Sequence, residues 1–352
     1  MKASISMRIR DTSKEQSELK RLRALSARVG RNPLLVQASS GNTSVKIDGT
    51  LWIKASGKWL AHAEADDFFM PVQLARARMC LERHIAIPET EATSSSHVCA
   101  SIETAMHAIL PQKVVVHVHS ANTIAWAVRE DGPSQIGKRL SRFSWQWIPY
   151  VRSGVDLARS IQDALSRFPG AEVFILANHG LVVCGESCDA TEELLAEVER
   201  CLAIQPRPAA EPDYAALNER MPGSAWSLAD RAAVHGLATD PISRRILSGG
   251  VLYPCQFIFL PGTVGVPESS PLRQLSDLRQ HRTSLLVEAC GVFCSKDMTR
   301  AEKEMLIGLS DIVQRIDACA AVRYLSAQEV IELSNVGSEH YRSAAEANWA
   351  SV

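Results

Sequence analysis

The sequence predicts an α/β protein: one mixed α/β unit around a buried sheet over the first two hundred residues, then a small α/β domain. Three observations carry this expectation. Continuous apolar, β-branched runs such as Lys113 to Val118 mark strands buried on both faces. Segments with apolar residues every third or fourth position alternate with those runs, as helices do around a sheet. Ala203 to Pro212, AIQPRPAAEP, has three prolines and no periodicity, which reads as a linker. At roughly 100–200 residues per domain, 352 residues suit two domains. The expected boundaries are 1–204, a linker over 205–212, and 213–352.

The elements follow in order. Leu19, Leu22, Leu25 and Val29 recur at helical spacing and predict a helix over Ser13 to Val29. From Pro33 to Ser56 short apolar runs alternate with Ser39-Ser40-Gly41-Asn42 and Asp48-Gly49, the pattern of hairpin strands. Met70 to Arg83 and Ser101 to Leu110 read as helices, and Lys113 to Val118 as a strand. Asp131-Gly132-Pro133 and Lys138-Arg139-Leu140 suggest an exposed loop and helix at the mouth of a site. Leu157 to Phe168 and Ala190 to Leu202 are expected helices, with Glu172 to Leu176 and Leu181 to Val183 as strands. Beyond the linker, Ser227 to Leu237 is expected to be helical, and Gln256 to Leu260, Ser284 to Val287 and Gly291 to Cys294 to be strands. Thr299 with Glu302 forms a capping box before a long amphipathic helix, and Ser326 with Glu329 forms a second. There is no internal repeat and no glycine pattern after a strand that would hold a dinucleotide.

Composition limits the function. Hydrophobic residues are 46% and charged residues 22% of the chain, ordinary for a globular protein, so fibrous and disordered classes are excluded. Lysine plus arginine, 38, nearly balances aspartate plus glutamate, 39, so no overall field would draw in nucleic acid or an anionic membrane. A small-molecule ligand is the expectation. Nine scattered cysteines lack zinc-ribbon or redox spacing and read as buried or free thiols in a reducing compartment. The opening MKASISMRIRDTSKEQ has no stretch of signal-peptide character and no run of about 18 apolar residues occurs, so a cytoplasmic location is expected.

The strongest chemical signal is Val114-Val115-Val116-His117-Val118-His119-Ser120. Alternate side chains of an extended chain share a face, so both imidazoles point the same way. Such a pair either supplies two ligands to one zinc at about 2.0–2.1 Å or is satisfied by hydrogen bonds. His179, in Asn178-His179-Gly180, follows another apolar strand and offers a third ligand, and the glycine lets the backbone turn beside a bound group. Three histidines with no thiolate leave a coordination position open, as at a catalytic zinc suited to Lewis-acid work. Glu103 shares a helix face with His107, and read alone such a glutamate is a solvated charge. His62, His97 and His107 read as structural or surface residues.

Five motifs in order, Ser40-Gly41-Asn42-Thr43-Ser44-Val45, Ile53-Lys54-Ala55-Ser56-Gly57, Ser101-Ile102-Glu103, His117-Val118-His119-Ser120 and Asn178-His179-Gly180-Leu181, resemble the class II aldolase and adducin family over about residues 15 to 204. Within it the chain is most similar to the aldolase part of bifunctional rhamnulose-phosphate aldolase and alcohol dehydrogenase proteins. Gly250-Val251-Leu252-Tyr253-Pro254 and Val322-Arg323-Tyr324-Leu325-Ser326 look like the segment that follows it there, without the dehydrogenase half.

The resemblance implies a three-layer α/β/α sandwich with a mixed, mainly antiparallel sheet, usually assembled as a C4 tetramer. It implies Zn2+ held by His117, His119 and His179, with Glu103 as acid/base. It implies a phosphate cradle from Gly41, Asn42, Ser56, Gly57 and Ser101, where glycine lets backbone N–H groups approach an anion and Lys54 adds charge. Ile102 stands where phosphate-binding relatives often carry a second serine. Gly41 and Asn42 have a plain turn as their alternative reading. Tyr150 matches a tyrosine, often lent across a subunit boundary, that protonates the leaving aldehyde oxygen, and is alternatively a packing residue. The implied reaction is cleavage of a phosphorylated ketose through a metal-held enediolate to dihydroxyacetone phosphate and an aldehyde. Decarboxylases, epimerases and a dehydratase share the fold, as do adducin-type binding proteins that lack the metal site.

Overall fold

The computed structural model describes residues 12–83, 85, 99–260 and 283–334. His97 and the opening residues fall outside them. The first part runs α1 (Thr12–Gly30), β1 (Asn42–Ile47), β2 (Thr50–Lys54), β3 (Phe69–Gln73), α2 (Leu74–Glu82), α3 (Thr104–Ile109), β4 (Val114–Val118) and α4 (Ala121–Ala127). It continues with α5 (Gly132–Arg139), β5 (Trp145–Ile148), α6 (Val155–Arg167), β6 (Val173–Leu176), β7 (Gly180–Gly185) and α7 (Cys188–Leu202). Its seven strands form one sheet in the order β3-β2-β1-β4-β7-β6-β5. Every neighbouring pair is antiparallel except β5 with β6. This is the expected mixed, mainly antiparallel sheet.

Both faces are covered, as the β-branched runs required. Val114, Val116 and Val118 pack with α1, α4, α5 and α7 through Leu25, Trp126, Ile136 and Val198. Val115 turns the other way, toward Met106 of α3 and Ile161 of α6. Alternation therefore puts His117 on the α3 side of the sheet. Each fully buried valine contributes about 1.5–3 kcal/mol, which fixes the register that aims the histidine.

The second part contains α8 (Tyr214–Glu219), β8 (Trp226–Leu228), α9 (Ala232–Thr239), α10 (Pro241–Ser248), α11 (Pro254–Phe259), β9 (Ser284–Val287), β10 (Gly291–Ser295), α12 (Arg300–Val313) and α13 (Ala327–Ser334). Its strands form an antiparallel sheet in the order β8-β10-β9. Both capping boxes form: Thr299 with Glu302, and Ser326 with Glu329. The two parts share a core in which Ile124 of α4 and Val128 just after it pack with Leu237, Phe259, Leu309 and Ile312. Residues 203–212 hold no helix or strand, yet Arg207 binds Asp240 at 2.9 Å and the Val313 carbonyl at 3.0 Å.

Four expectations change. Residues 69–73 are a strand, because Pro71 has no N–H to give a helix and is tolerated in this edge strand; the helix begins at Leu74. Trp226–Leu228 pairs with β10, so the helix expected from Ser227 starts at Ala232. Gln256 to Leu260 lies in and just past a helix that Pro254 opens, proline being suited to a first helical turn. Finally, α5 packs on α4, with the Arg139 guanidinium 3.9 Å from the Trp126 ring centre, rather than lining the site described below.

Candidate metal centre

Two stretches of chain, the end of β4 and the connection from β6 to β7, deliver three imidazoles to one point. His117 sits in β4 between Asn42 of β1 and Val182 of β7, and His119 follows immediately, before Ser120 caps α4 by accepting from the Thr123 N–H at 3.1 Å. His179 lies in the tight connection from β6 to β7, where Leu176 pairs with Gly180. The left-handed residue of that turn is Asn178, at φ 52, not the glycine. Gly180 is needed for close approach instead: a Cβ there would meet the Val118 carbonyl oxygen at 2.4 Å.

The ligand atoms of His117, His119 and His179 all lie within 4.8 Å of one another, and all three residues are buried. His117 Nε2 and His119 Nε2 are 3.2 Å apart. Tetrahedral zinc with bonds of about 2.0–2.1 Å spaces its ligands by about 3.3 Å, so this donor set fits such an ion. His117 Nδ1 is 3.0 Å from the Leu181 carbonyl, which fixes its proton there and leaves the Nε2 lone pair for a metal. Burial pushes the His179 imidazole down to about 4 and His119 well below its ordinary value, so both are neutral donors.

Glu103 stands against this group at the N-terminus of α3, 4% exposed, which removes the solvated-charge reading. Its Oε2 is 3.4 Å from His117 Nε2 and its Oε1 is 3.4 Å from His179 Nε2. Asn42 Nδ2 donates to Oε2 at 2.7 Å, and Ser153 Oγ donates to Oε1 at 3.2 Å. Burial opposes the charged form of the carboxyl, and the Asn42 N–H that donates to it favours that form. His107 is buried behind Asn42: its Nε2 donates to Asn42 Oδ1 at 2.5 Å and its Nδ1 accepts from Ser44 at 2.7 Å. Burial drives its pKa down to about 3, so it is a neutral, structural histidine.

A cavity of about 120 Å³ opens on His119, His179 and Glu103. Gly41, Asn42, Ser56, Gly57 and Ser101 all line it, so every residue of the expected cradle faces the same space. Gly41 has φ 66, and a Cβ there would meet the His117 carbonyl oxygen at 2.7 Å, so the loop can run this close only with glycine. The Asn42 amide is already committed, donating to Glu103 and also to Ser101 Oγ at 3.1 Å. Lys54 is buried in the wall, bonded to the Ser39 carbonyl at 2.8 Å, and burial lowers its pKa to about 7.

Two features escaped the sequence reading. Ser153 meets Glu103 from the loop before α6, and its Arg152-Ser153-Gly154 context carries no signal in a single sequence. Pro254, Cys255 and Phe259 close the cavity from the second part of the chain. Tyr150 is not among the lining residues; it packs with Val251, Leu325 and Val330, with the Arg323 guanidinium 5.3 Å from its ring centre. All nine cysteines are free thiols, and among the described residues no helix is long and apolar enough to cross a membrane.

The family described as Class II Aldolase and Adducin N-terminal domain matches residues 21–206. The uncharacterized oxidoreductase YuxG of Bacillus subtilis is 30% identical over 178 residues, which cover 46% of this chain and 25% of that protein. This chain therefore spans only about a quarter of that relative's length. The methylthioribulose-1-phosphate dehydratase of Microcystis aeruginosa is 27% identical over 176 residues, covering 46% of this chain and 82% of the dehydratase. The N-terminal class II aldolase domain of a conserved protein from Thermoplasma acidophilum superposes with a TM-score of 0.43 at 22% identity, over 58% of this chain and all of that one.

Proposed function

This chain belongs to the class II aldolase and adducin N-terminal domain family, and from that premise we propose that it is a zinc-dependent aldolase acting on a phosphorylated ketose. The observation that carries the reading is Glu103 set 3.4 Å from two of three clustered histidine nitrogens, beside an open cavity. Three imidazole ligands suit zinc better than magnesium or calcium. When bound, zinc supplies Lewis-acid polarisation of a substrate oxygen.

The chain's own residues do the rest. Backbone N–H groups around Gly41 and Gly57, the hydroxyls of Ser56 and Ser101, and the Lys54 ammonium hold the phosphate. Asn42 lends that cradle its place in the loop, while its side chain steers Glu103. Glu103 exchanges the proton at the carbon next to the carbonyl, with Ser153 and Asn42 setting the direction of its two oxygens. Cleavage of the neighbouring carbon–carbon bond gives dihydroxyacetone phosphate and an aldehyde. Tyr150 enters this reading only across a subunit boundary in a C4 tetramer, where it takes the hydroxyl proton from the oxygen that becomes the aldehyde and returns it in the condensation direction, since within its own chain it lies outside the cavity lining. The division at residues 205–212 is retained as the boundary between a catalytic domain and a smaller one. Metal-reconstituted protein offered a panel of ketose 1-phosphates, with dihydroxyacetone phosphate as readout, tests the reaction; no release from any of them removes it.

A second reading is favoured by the similarity that covers 82% of a methylthioribulose-1-phosphate dehydratase. Loss of water from a phosphorylated ketose needs the same proton removal by Glu103 and the same cradle. Ile102, Pro254, Cys255 and Phe259 in the cavity wall suit an alkyl or thioalkyl end. Loss of water without aldehyde from a thioribulose phosphate would select this reading over the first.

A further inference from the structure

The second part of the chain reaches the histidine centre at two points, both from residues beyond the family match, which ends at residue 206. Cys255 Sγ lies 3.3 Å from His119 Nδ1. Asn178, next to His179, gives its whole side-chain amide to the same part of the chain. Its Nδ2 donates to the Leu252 and Arg323 carbonyls, each at 2.8 Å, and its Oδ1 accepts from Arg323 Nη1 at 2.7 Å.

These contacts fix the Cys255 loop from several sides. The Leu252 N–H donates to Gln256 Oε1 at 2.7 Å, and the Leu325 N–H donates to the Val251 carbonyl at 2.8 Å. The Arg323 N–H reaches back to the Val128 carbonyl at the end of α4 at 2.8 Å. The helix that begins at His119's neighbour Ser120 therefore ends on the segment that carries Arg323. A thiol held on such a frame has little freedom to leave the imidazole.

An imidazole that binds a metal through Nε2 keeps its proton on Nδ1, and that proton needs an acceptor that fixes the ring. For His117 the acceptor is the Leu181 carbonyl. For His119 the only neighbour at Nδ1 among the described contacts is the Cys255 sulfur. With a metal on Nε2, the His119 Nδ1–H would donate to Sγ, and Nε2 already faces His117 Nε2 at 3.2 Å. We propose that Cys255 is a positioning residue for the His119 ligand, delivered by a C-terminal loop locked to Asn178, so that the second part of the chain completes the metal centre. This rests on the reading above that the three histidines hold a divalent metal.

Cobalt(II) titration of the metal-free 352-residue chain, followed by visible absorption against a competing chelator, tests it without reference to turnover. Cys255→Ala and Cys255→Val, the second keeping the packing volume without an acceptor, are expected to weaken cobalt binding about tenfold and to alter the cobalt absorption bands. Cys255→Ser is expected to restore both, because the hydroxyl oxygen also accepts the Nδ1–H. Melting of the metal-free proteins reports packing separately, and if the alanine variant does not fold, the valine and serine variants decide. Wild-type affinity and spectrum in Cys255→Val, or a serine variant no better than the valine one, overturns the proposal while leaving the metal site standing. A wild-type chain that binds no cobalt removes the metal reading and this inference with it.

Discussion

Asn42 holds Glu103: its Nδ2 lies 2.7 Å from Glu103 Oε2, while its Oδ1 is 2.5 Å from His107 Nε2. The tie joins β1 to the start of α3 in the wall of the cavity. His107 therefore orients the amide, and the amide orients the carboxylate. Asn42→Ala is expected to leave Glu103 buried with one partner fewer, and turnover should fall through misplacement of the base while metal content is unchanged. Steady-state rates on the metal-loaded enzyme, with elemental analysis of the same samples, check this. Full activity in the variant would assign Asn42 to the loop alone.

Glu103→Gln keeps the shape of the side chain and cannot accept a proton. Positioned acid/base groups contribute about 100- to 10,000-fold, so a loss of that order is expected, with metal content and melting temperature near wild type. Near-normal turnover would put the base elsewhere.

The histidine cluster predicts one divalent metal per chain after purification without chelator. His117→Ala with His119→Ala is expected to abolish it, because a single remaining imidazole cannot hold the ion against water. Elemental analysis and circular dichroism together separate loss of metal from loss of fold. Unchanged metal in the folded double variant would place it at some other site.

Much of this centre was legible because its signals are local. His117 and His119 are two apart on an apolar strand, and His179 follows another strand, so period and position sufficed to put all three at strand ends. The hairpin glycines and the capping box at Thr299 were likewise written in adjacent residues. The rest depended on distant partners. Glu103 looked like a solvated charge because nothing near it in sequence announces that Asn42 and Ser153 meet it. Cys255 carries no spacing signal, since its partner His119 lies on a different element. Pro71 hid an edge strand within a run that read as helix, and α11 was hidden in an apolar run whose opening proline outweighed its strand-like composition.

Gly180 tests the packing behind the ligands. A Cβ there would sit 2.4 Å from the Val118 oxygen and 3.4 Å from His117 Cε1. Gly180→Ala must push β7 away from β4, and overpacking of this kind costs about 1–3 kcal/mol. Thermal denaturation should show the loss, with weaker metal binding because His117 moves with its strand. A variant as stable as wild type would mean that the sheet yields at this point.

Lys54 links the anion site to pH. Burial lowers its pKa from 10.5 to about 7. In the unfolded chain the amine keeps its ordinary affinity for a proton, so between about pH 7 and 10.5 the unfolded state binds more protons than the folded one. Stability from this group therefore rises with pH across that window, and the burial penalty is fully present below it. Lys54→Met removes the penalty and should melt higher than wild type at pH 6, with the gap closing toward about pH 10. Anion binding should run the other way. A phosphate ester has its second pKa near about 6, so it is a dianion throughout the range where the amine titrates. Dihydroxyacetone phosphate is thus expected to bind wild type less tightly as pH rises above about 7, where Lys54 loses its charge. In Lys54→Met its affinity should be weaker and flat with pH. Calorimetric titrations at several pH values decide: a flat wild-type profile, or a variant that binds as well at pH 6.5, would remove Lys54 from the cradle and leave the phosphate to Ser56, Ser101 and the glycine loops.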